Sequence, residues 1–537
     1  MKPRHDLFTI GQQKKLPNHH ERPDSFLASP IISAKTIAIM KPNIIYIYAD
    51  DLGRGMLSCY GQKHFKTPNI DRIANEGIRF EQYYGCGYCA PARASLLTGR
   101  HDCHNGEWTV TKGGIYKALS DGTMGFDEIR ELIQKTGIQA KPDDVFLPQL
   151  AQEAGYITGE IGKLEWGFAT TPERMKRHGW DYHYGYYDHQ RCHGFYPPFL
   201  FRNGEKVDIP GNTRADCGVT PMGDTPEKAA IRHNMDGKSV YSQDLFDEEI
   251  ISFLRHHKEK PFFLWHPSQL PHGPTSIPEV HPDLVDLAEL TDYEKEYASM
   301  VLRLDKTVGL ILDELENLGI ADNTAIFFSS DNGHEVYYDS PGRTTCPSWN
   351  GGKDLEGNHL DNITSKFYSD TCGDVFDGND GMAGLKRCNF EGGVRIPALM
   401  RWPGQIQPGS SSDRLSANYD FLSTLAEIVG TTPPNGKDGR SFLQAVLNPK
   451  ASQEDHRHVV FASHQGPALV NSEGWKLRYV SMNNSFQLYH LPNDYREEKD
   501  LSSQHPERVD QLKKLLIEAC DGDLKYGHAQ IQSVEYA

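Results

Sequence analysis

Three short apolar runs, each ending in polar residues, constrain the fold of this chain most strongly. Residues 44–49 (IIYIYA) are followed by Asp-Asp-Leu-Gly, and the pattern returns at 261–274 (PFFLWHPSQLPHGP) and at 324–333 (TAIFFSSDNG). Runs as apolar as these are typical of strands that are buried on both faces of a parallel sheet. The polar residues then follow the carboxyl ends of the strands, where ligands bind in such sheets.

Helical patterns separate these strands. They lie at 69–78, 144–156 and 291–319. Strands that alternate with helices are typical of a doubly wound α/β sheet. We therefore predict an α/β fold with a large mixed, mostly parallel sheet sandwiched by helices.

The last part of the chain has a different texture. Short strand-like runs follow one another at 458–464, 475–482 and 486–491, and an amphipathic helix is predicted at 506–520 (PERVDQLKKLLIEAC). This order predicts a small C-terminal α+β subdomain in which an antiparallel sheet is covered by a helix. We place the catalytic domain at 41–454 and the C-terminal subdomain at 455–537.

Residues 1–40 precede the first strand and are expected to form a disordered N-terminal extension. Their modest apolar run, 29–40 (SPIISAKTIAIM), is interrupted by Lys35 and has no small-residue cleavage site. It is therefore a poor signal peptide. The sequence leaves the compartment open between the cytoplasm and, if the natural chain starts elsewhere, the periplasm or the cell exterior.

Charge and cysteine content exclude several functional classes. The formal net charge of −17 argues against nucleic acid or an anionic membrane as the partner. Ten cysteines in 537 residues are too sparse for a disulfide scaffold. No run approaches the roughly 20 apolar residues of a membrane span. An anionic substrate is compatible with this composition only where cations are concentrated locally.

Carboxylates and an amide follow two of the predicted core strands. Asp50 and Asp51 end the first strand, and Asp331 and Asn332 end another. Converging carboxylates repel one another unless a cation joins them, and an all-oxygen set prefers calcium or magnesium to zinc. Taken singly, both segments also fit ordinary turns. Their shared position after core strands favours the metal site.

A cysteine segment offers two chemistries. Residues 86–100 read CGYCAPARASLLTGR, and helix-forming residues after Pro91 place Cys89 at a helix N-terminus, where an anion is favoured. Arg93 follows four residues later, on the same helix face. Cys86 and Cys89 also have the spacing of a redox pair. A redox pair requires neither Arg93 nor the carboxylates, so we favour a role for Cys89 with both.

The segment CAPARASLLTGR resembles the signature of the type I sulfatases, which belong to the alkaline phosphatase-like superfamily. The resemblance continues in order through YADDLG, TPNIDRIANEGIRF, GYITGEIGK, the PHGP at 271–274, SSDNG and LKRCNFEGGVRIPALMRWPG. It covers nearly everything from Lys41 onward. It implies an alkaline phosphatase-like fold and a sulfuric ester hydrolase.

The resemblance also implies site residues and cofactors. Cys89 is expected to be converted to formylglycine by a maturation enzyme, and its hydrated form to attack sulfur with calcium assistance. One calcium ion is expected to be held by Asp50, Asp51, modified Cys89, Asp331 and Asn332. Among the other catalytic residues, Arg93 is expected to support formylglycine, Lys163 and Lys386 to contact sulfate, and His272 to lie at the leaving-group oxygen.

One position departs from the family pattern. The lysine of the G-K-W-H segment is normally followed by a sulfate-contacting histidine, but this chain has Glu165 there. We expect Glu165 to be protonated, to be paired with a cation, or to lie on a sugar hydroxyl, which is the role that we favour. His193 is our first candidate to replace the missing contact, ahead of His266 and His334.

The substrate expected from the sequence is a sulfated glycan or oligosaccharide, since the density of Tyr and His at 182–199 suits a sugar-binding rim. Within the same fold, the alternatives are an aryl or alkyl sulfatase and a phosphonate monoester or phosphodiester hydrolase. Because Glu165 departs from the pattern, a non-catalytic glycan-binding relative is a further alternative.

Overall fold

The computed structural model describes residues 41–104, 114–136, 144–165, 169–346, 352–360, 366–448 and 458–528. Its strands, in chain order, are β1 Asn43–Ala49, β2 Ile78–Phe80, β3 Tyr83–Tyr84, β4 Ile157–Gly162, β5 Tyr182–Gly185, β6 Phe199–Arg202, β7 Glu205–Asp208, β8 Phe262–Pro267, β9 Thr324–Ser330, β10 Gly352–Lys353, β11 His359–Leu360, β12 Ala398–Arg401, β13 Ser410–Ser412, β14 Ser416–Ala417, β15 His458–Phe461, β16 Ala468–Asn471, β17 Trp475–Val480 and β18 Ser485–His490.

The α-helices are α1 Pro68–Asn75, α2 Cys89–Thr98, α3 Lys117–Asp121, α4 Phe126–Thr136, α5 Leu147–Glu153, α6 Pro172–Arg177, α7 Pro226–His233, α8 Ser242–His257, α9 Pro282–Val285, α10 Asp292–Asn317, α11 Ser369–Cys372, α12 Glu391–Val394, α13 Asp420–Val429, α14 Leu443–Leu447 and α15 Pro506–Ala519. Within the described ranges, no helix combines the length and the apolar character needed to cross a bilayer.

Ten strands of the described chain form one mixed sheet in the order β13-β2-β12-β9-β1-β8-β4-β5-β6-β7. The central strands β9, β1, β8, β4 and β5 are parallel to one another. Strands β12 and β6 run antiparallel to their neighbours on either side of this block. The predicted large mixed sheet with a parallel centre is confirmed.

Hydrophobic side chains alternate between the two faces of the sheet, as the two-residue period of a strand requires. In β1, Ile45 and Ile47 join the core that includes Leu304 of α10, whereas Tyr46 joins the opposite core with Leu150 of α5. Helices α1, α8 and α10 pack together in the first core, and α2, α5 and α13 in the second. Because both faces are covered, the central strands are apolar along their whole length.

The C-terminal segment forms the predicted antiparallel sheet, β15-β16-β17-β18, with α15 packed against it. A buried ion cluster joins this sheet to α12, because Lys476 Nζ of β17 lies 2.9 Å from Glu391 and 3.0 Å from Glu497. The three side chains are fully buried, so each charge depends on the others for compensation.

Two expectations concern residues that the structure leaves undescribed. The N-terminal extension, 1–40, lies outside the described residues, and so does the boundary that we set between 454 and 455. Residues 41–537 form one compact unit by their internal contacts. The division into a catalytic domain and a C-terminal subdomain stays a proposal that follows the change from the large sheet to the small one.

Candidate active site

Four neighbouring strands, β9, β1, β8 and β4, end at one edge of the sheet and carry polar residues there. Because the strands are parallel, their carboxyl ends meet, and the residues that follow them converge. They are Asp331 and Asn332 after β9, Asp50 and Asp51 after β1, His272 in the segment after β8, and Lys163 directly after β4.

Asp50, Asp51 and Asp331 form a buried cluster in which one oxygen of each lies within 4.8 Å of the others. Asp51 has a left-handed backbone, with φ of 61°, and its N–H donates to Asp331 Oδ1 at 3.0 Å. Burial raises the pKa of Asp331 well above its ordinary value, and the neighbouring Asp50 carboxylate raises it further. A cation would relieve this repulsion.

Two buried oxygens at the cluster support a metal site. The amide nitrogen of Asn332, Nδ2, donates to Asp51 Oδ1 at 2.8 Å, and its amide oxygen, Oδ1, has no hydrogen-bond partner among the described residues. Asp50 Oδ1 is buried and also has no hydrogen-bond partner there. Buried polar oxygens without donors are costly. The donor set is entirely oxygen, so these residues fit a hard divalent cation such as Ca²⁺.

Three buried cations surround the carboxylates. Lys163 Nζ donates to Asp50, and Lys386 Nζ donates to Asp51 Oδ2 at 2.6 Å. Arg93 Nη2 lies 3.4 Å from Asp331 Oδ2 and 3.6 Å from Asp50 Oδ2. Burial by itself would lower the pKa of Lys163, but the Asp50 carboxylate more than offsets it and raises that pKa. The chain thus brings three cationic side chains to the three carboxylates despite its acidic total.

Glycine 162 allows Lys163 to reach the cluster. Gly162 has φ of 142°, and a Cβ there would lie 2.3 Å from the Pro267 carbonyl oxygen at the end of β8. Any larger residue would push β4 away from β8. The Lys163 N–H then donates to the same Pro267 oxygen at 2.6 Å, which fixes the start of its side chain.

Helix α2 presents Cys89 at its first position, as the sequence predicts. The segment before α2 lies directly against the end of β9. A Cβ on Gly85 would lie 2.2 Å from the Asp331 carbonyl oxygen, and the Cys86 N–H donates to that oxygen at 3.2 Å. Cys89 is 6% exposed, and Arg93 lies one helical turn later in the same helix. The cysteine segment is thereby tied directly to the end of β9.

The environment of Cys86 and Cys89 does not support a redox pair. All ten cysteines are free thiols. Burial raises the pKa of Cys89, and it raises the pKa of Cys86 well above its ordinary value. A redox cysteine needs an accessible thiolate. The Cys86 thiol instead donates to Ser95 Oγ at 3.5 Å, as a structural side chain does.

His272 lies beside both a carboxylate and a lysine of the cluster. Its Nε2 is 3.3 Å from Asp51 Oδ2 and 3.3 Å from Lys386 Nζ, and its Nδ1 donates to the Gly273 carbonyl oxygen. Because Nδ1 is bound to that carbonyl oxygen, the ring is held with Nε2 toward the carboxylate cluster. Burial lowers the pKa of His272 to about 4.

Glu165 is not on the open face of the site, which corrects the expectation that it contacts a substrate hydroxyl. The residue is fully buried. Its Oε1 accepts hydrogen bonds from His178 Nδ1 at 2.7 Å and Thr170 Oγ1 at 3.3 Å, and its Oε2 accepts one from Trp180 Nε1 at 2.7 Å. Both carboxylate oxygens already have donors, so Glu165 is a core residue.

His266 and His334 are also core residues rather than substrate contacts. His266 uses both ring nitrogens, with Nδ1 2.6 Å from the Ile161 carbonyl oxygen and Nε2 3.2 Å from Gln243 Nε2. His334 is fully buried, with Nε2 2.9 Å from the Tyr338 hydroxyl oxygen. Burial lowers the pKa of both rings. These two predicted substrate contacts are therefore withdrawn.

The tyrosines of 182–199 do not form the expected sugar-binding rim. Tyr184, Tyr186 and Tyr196 belong to one hydrophobic core of the sheet, and Tyr187 to the other. The aromatic density of this segment comes from packing against the sheet.

Two residues at the site were missed by the sequence reasoning. His189 Nε2 lies 3.7 Å from Cys89 Sγ, the predicted nucleophile, whereas the ring of our candidate His193 stacks on His272. The Tyr337 hydroxyl donates to Asp51 Oδ2. His189 lies in the same short segment as His193, so composition pointed to the segment and could not rank the two.

We expect Glu165→Ala to lower the free energy of unfolding by about 2–4 kcal/mol, because it leaves two buried donors, His178 Nδ1 and Trp180 Nε1, unpaired. Glu165→Gln keeps an acceptor and should lose less. Urea unfolding measures the change, and Glu153→Ala, at an exposed position of α5, is the matched control. A Glu165→Ala variant as stable as the control would contradict this assignment.

Comparison with known proteins gives the family. A sulfatase profile matches residues 42–431, and a profile described as N-sulphoglucosamine sulphohydrolase, C-terminal, matches residues 384–521. The N-acetylgalactosamine-6-sulfatase of Rattus norvegicus is 31% identical over 430 residues, covering 78% of this chain and 69% of the relative. The N-acetylgalactosamine-6-O-sulfatase of Bacteroides thetaiotaomicron is 28% identical over 536 residues, covering 89% and 92%.

A solved structure supports the fold. It comes from work on the metabolism of multiple glycosaminoglycans by Bacteroides thetaiotaomicron. The two structures superimpose with a TM-score of 0.66 at 24% sequence identity, covering 90% of this chain and 100% of that one. The profile that spans most of the chain and the identity to the rat relative establish membership. The chain belongs to the sulfatase family, whose enzymes hydrolyse sulfate esters.

Proposed function

We propose that this sulfatase removes sulfate from a sulfated saccharide, with a formylglycine made from Cys89 as nucleophile and one Ca²⁺ ion at the carboxylate cluster. The observation that carries the proposal is the meeting of Cys89, three carboxylates and three buried cations at one sheet edge. A sulfate monoester is anionic, and the cations match it. The names of the rat and Bacteroides relatives make N-acetylgalactosamine 6-sulfate the first substrate to test.

Asp50, Asp51, Asp331 and Asn332 would hold the calcium ion. When bound, a divalent cation stabilises negative charge that develops on oxygens near it. A formylglycine in its hydrated form supplies two hydroxyls on one carbon, one as nucleophile and one whose deprotonation allows sulfate to leave. A maturation enzyme that makes formylglycine is the partner that this chemistry requires.

The chain's own side chains would bind and orient the substrate. Lys163 reaches the cluster from β4 and Lys386 from the loop before α12, and each can neutralise charge on sulfate oxygens. Arg93 would hold residue 89 through their shared helix turn. His272, whose Nε2 lies beside Lys386, would give a proton to the leaving oxygen. A bound anion favours its protonated form.

The first test uses protein from a host that has the maturation enzyme. Mass spectrometry of the peptide from Gln82 to Arg93 should show the loss of one cysteine sulfur, and this protein should hydrolyse N-acetylgalactosamine 6-sulfate. Cys89→Ala should abolish turnover, and Cys86→Ala should retain it. Active protein that carries only an unmodified thiol at position 89 would refute the mechanism, and activity on phosphodiesters alone would refute the substrate class.

The second test concerns calcium. Dialysis against a chelator should abolish turnover and lower the melting temperature, and added Ca²⁺ should restore both, because an ion that binds only the folded state stabilises it. Asp331→Ala should lose the calcium-dependent rise in melting temperature. Asp322→Ala, at an exposed position before β9, is the control and should keep it. Full activity of rigorously metal-free protein would contradict the proposal.

The third test concerns His272 as proton donor. A sugar hydroxyl is a poor leaving group and needs a proton, whereas nitrophenolate barely does. We therefore expect His272→Ala to lower kcat on the sulfated sugar by about a hundredfold or more and on p-nitrophenyl sulfate by much less. Steady-state kinetics on both substrates measure the difference. Equal losses would show that His272 binds sulfate instead of donating the proton.

A further inference from the structure

A short turn beside Cys89 carries two histidines, one in contact with Cys89 and one in contact with His272. We call residues 189–193 the histidine turn. His189 Nε2 lies 3.7 Å from Cys89 Sγ, and the His193 ring stacks on His272 with centroids 4.0 Å apart and planes 7° apart. The turn therefore contacts both the predicted nucleophile and the predicted proton donor.

The histidine turn is held in place at its N-terminal end. The Asp188 carboxylate, just before the turn, accepts backbone hydrogen bonds from Gly114 at 2.7 Å, Tyr116 at 2.9 Å and Gln190 at 2.9 Å. A carboxylate that accepts several backbone hydrogen bonds fixes the direction in which the chain continues after it. The position of His189 is thus determined by the fold around Asp188.

The other side of the histidine turn is tied to the segment that carries His272. Gln269 Nε2 donates to the carbonyl oxygens of Cys192 and Gly194, the latter at 3.2 Å. The backbone carbonyl oxygen of Gln269 accepts the His272 N–H at 2.9 Å. Gln269 therefore ties the two histidine-bearing segments together, through its side-chain amide on one side and its backbone carbonyl on the other.

The charges around the histidine turn favour an anion. His189, Cys192 and His193 offer metal-binding atoms within 4.8 Å of one another, an arrangement that could hold a second metal ion. However, Cys89, which His189 contacts, has its sulfur within 4.8 Å of an Asp50 oxygen, and that carboxylate is bound by Lys163 and lies 3.6 Å from Arg93 Nη2. Lys163 and Arg93 would repel a further cation and attract a sulfate group.

Glu165 stands where the family pattern has a histidine, and its side chain does not contact the site. Two residues after Lys163, its side chain turns into the core and is bound by His178 and Trp180. A histidine at that position would have followed the sulfate-binding lysine, and here His189 reaches the same nucleophile from another segment.

We propose that His189 donates a hydrogen bond from Nε2 to a sulfate oxygen of the substrate at residue 89, and so serves as a sulfate-binding residue from outside the G-K-x-H segment. The inference rests on the proposed function, because it needs a sulfate ester in this site. An imidazole N–H beside the nucleophile, among three cations, suits an oxygen of that group.

The test uses protein with unmodified Cys89, which can bind a sulfate ester without turning it over. Isothermal titration compares p-nitrophenyl sulfate with p-nitrophenol, so that only sulfate recognition is measured. We expect His189→Ala to weaken p-nitrophenyl sulfate by about ten- to a hundredfold, the range for a hydrogen bond to a charged group. Affinity for p-nitrophenol should not change.

Three variants complete the design. His189→Gln keeps an N–H donor of similar reach and should retain part of the affinity, whereas His189→Asn is too short and should lose it as His189→Ala does. Gln190→Ala, at the exposed next position of the histidine turn, is the matched control and should bind as the wild type does. Circular dichroism and thermal melting check that each variant is folded.

The outcomes separate this inference from the proposed function. Wild-type protein that prefers p-nitrophenyl sulfate, with His189→Ala and His189→Asn binding equally well, overturns the inference and leaves the function standing. Wild-type protein that binds p-nitrophenyl sulfate no better than p-nitrophenol overturns both. Selective loss in the two shortened variants, with partial recovery in His189→Gln, supports the inference.

Discussion

The balance of buried charge at the sheet edge is the constraint on which this site depends. Asp50, Asp51 and Asp331 are fully shielded from solvent, where unpaired carboxylates are costly. Lys163, Lys386 and Arg93 come from three other segments to compensate them. Each segment therefore has to end at the same point, and the parallel centre of the sheet achieves this because it aligns the carboxyl ends of its strands.

Close backbone approaches secure this convergence. Gly85 brings the segment before α2 against the end of β9, and Gly162 brings β4 against β8, each where a Cβ would collide with a carbonyl oxygen. The C-terminal sheet is attached in another way, through the buried Lys476 and its two glutamates. Cys89, the carboxylates and the C-terminal sheet are thus positioned by contacts that tolerate little displacement.

The histidine segment and Glu165 show where local reasoning fails. Glu165 follows Lys163 closely in sequence, but its oxygens bind His178 and Trp180 in the core. His189 is remote in sequence from Cys89 and lies beside it in space. Side-chain direction after an irregular residue such as Gly162 is decided by packing, which a motif read in one dimension does not contain.

The sequence by itself determined the strands that are apolar along their whole length, β1, β8 and β9, and the acidic residues that follow two of them, because burial on both faces leaves a continuous signal. It also determined the family, through the segment around Cys89. It did not mark β4 by apolar pattern, since Gly159, Glu160 and Gly162 interrupt the run. Tertiary structure alone decided which histidines line the site and which fill the core. Nothing in the sequence distinguishes His189 from His266. In the structure the His189 ring lies beside Cys89 Sγ, whereas the His266 ring lies beside the Ile161 carbonyl oxygen.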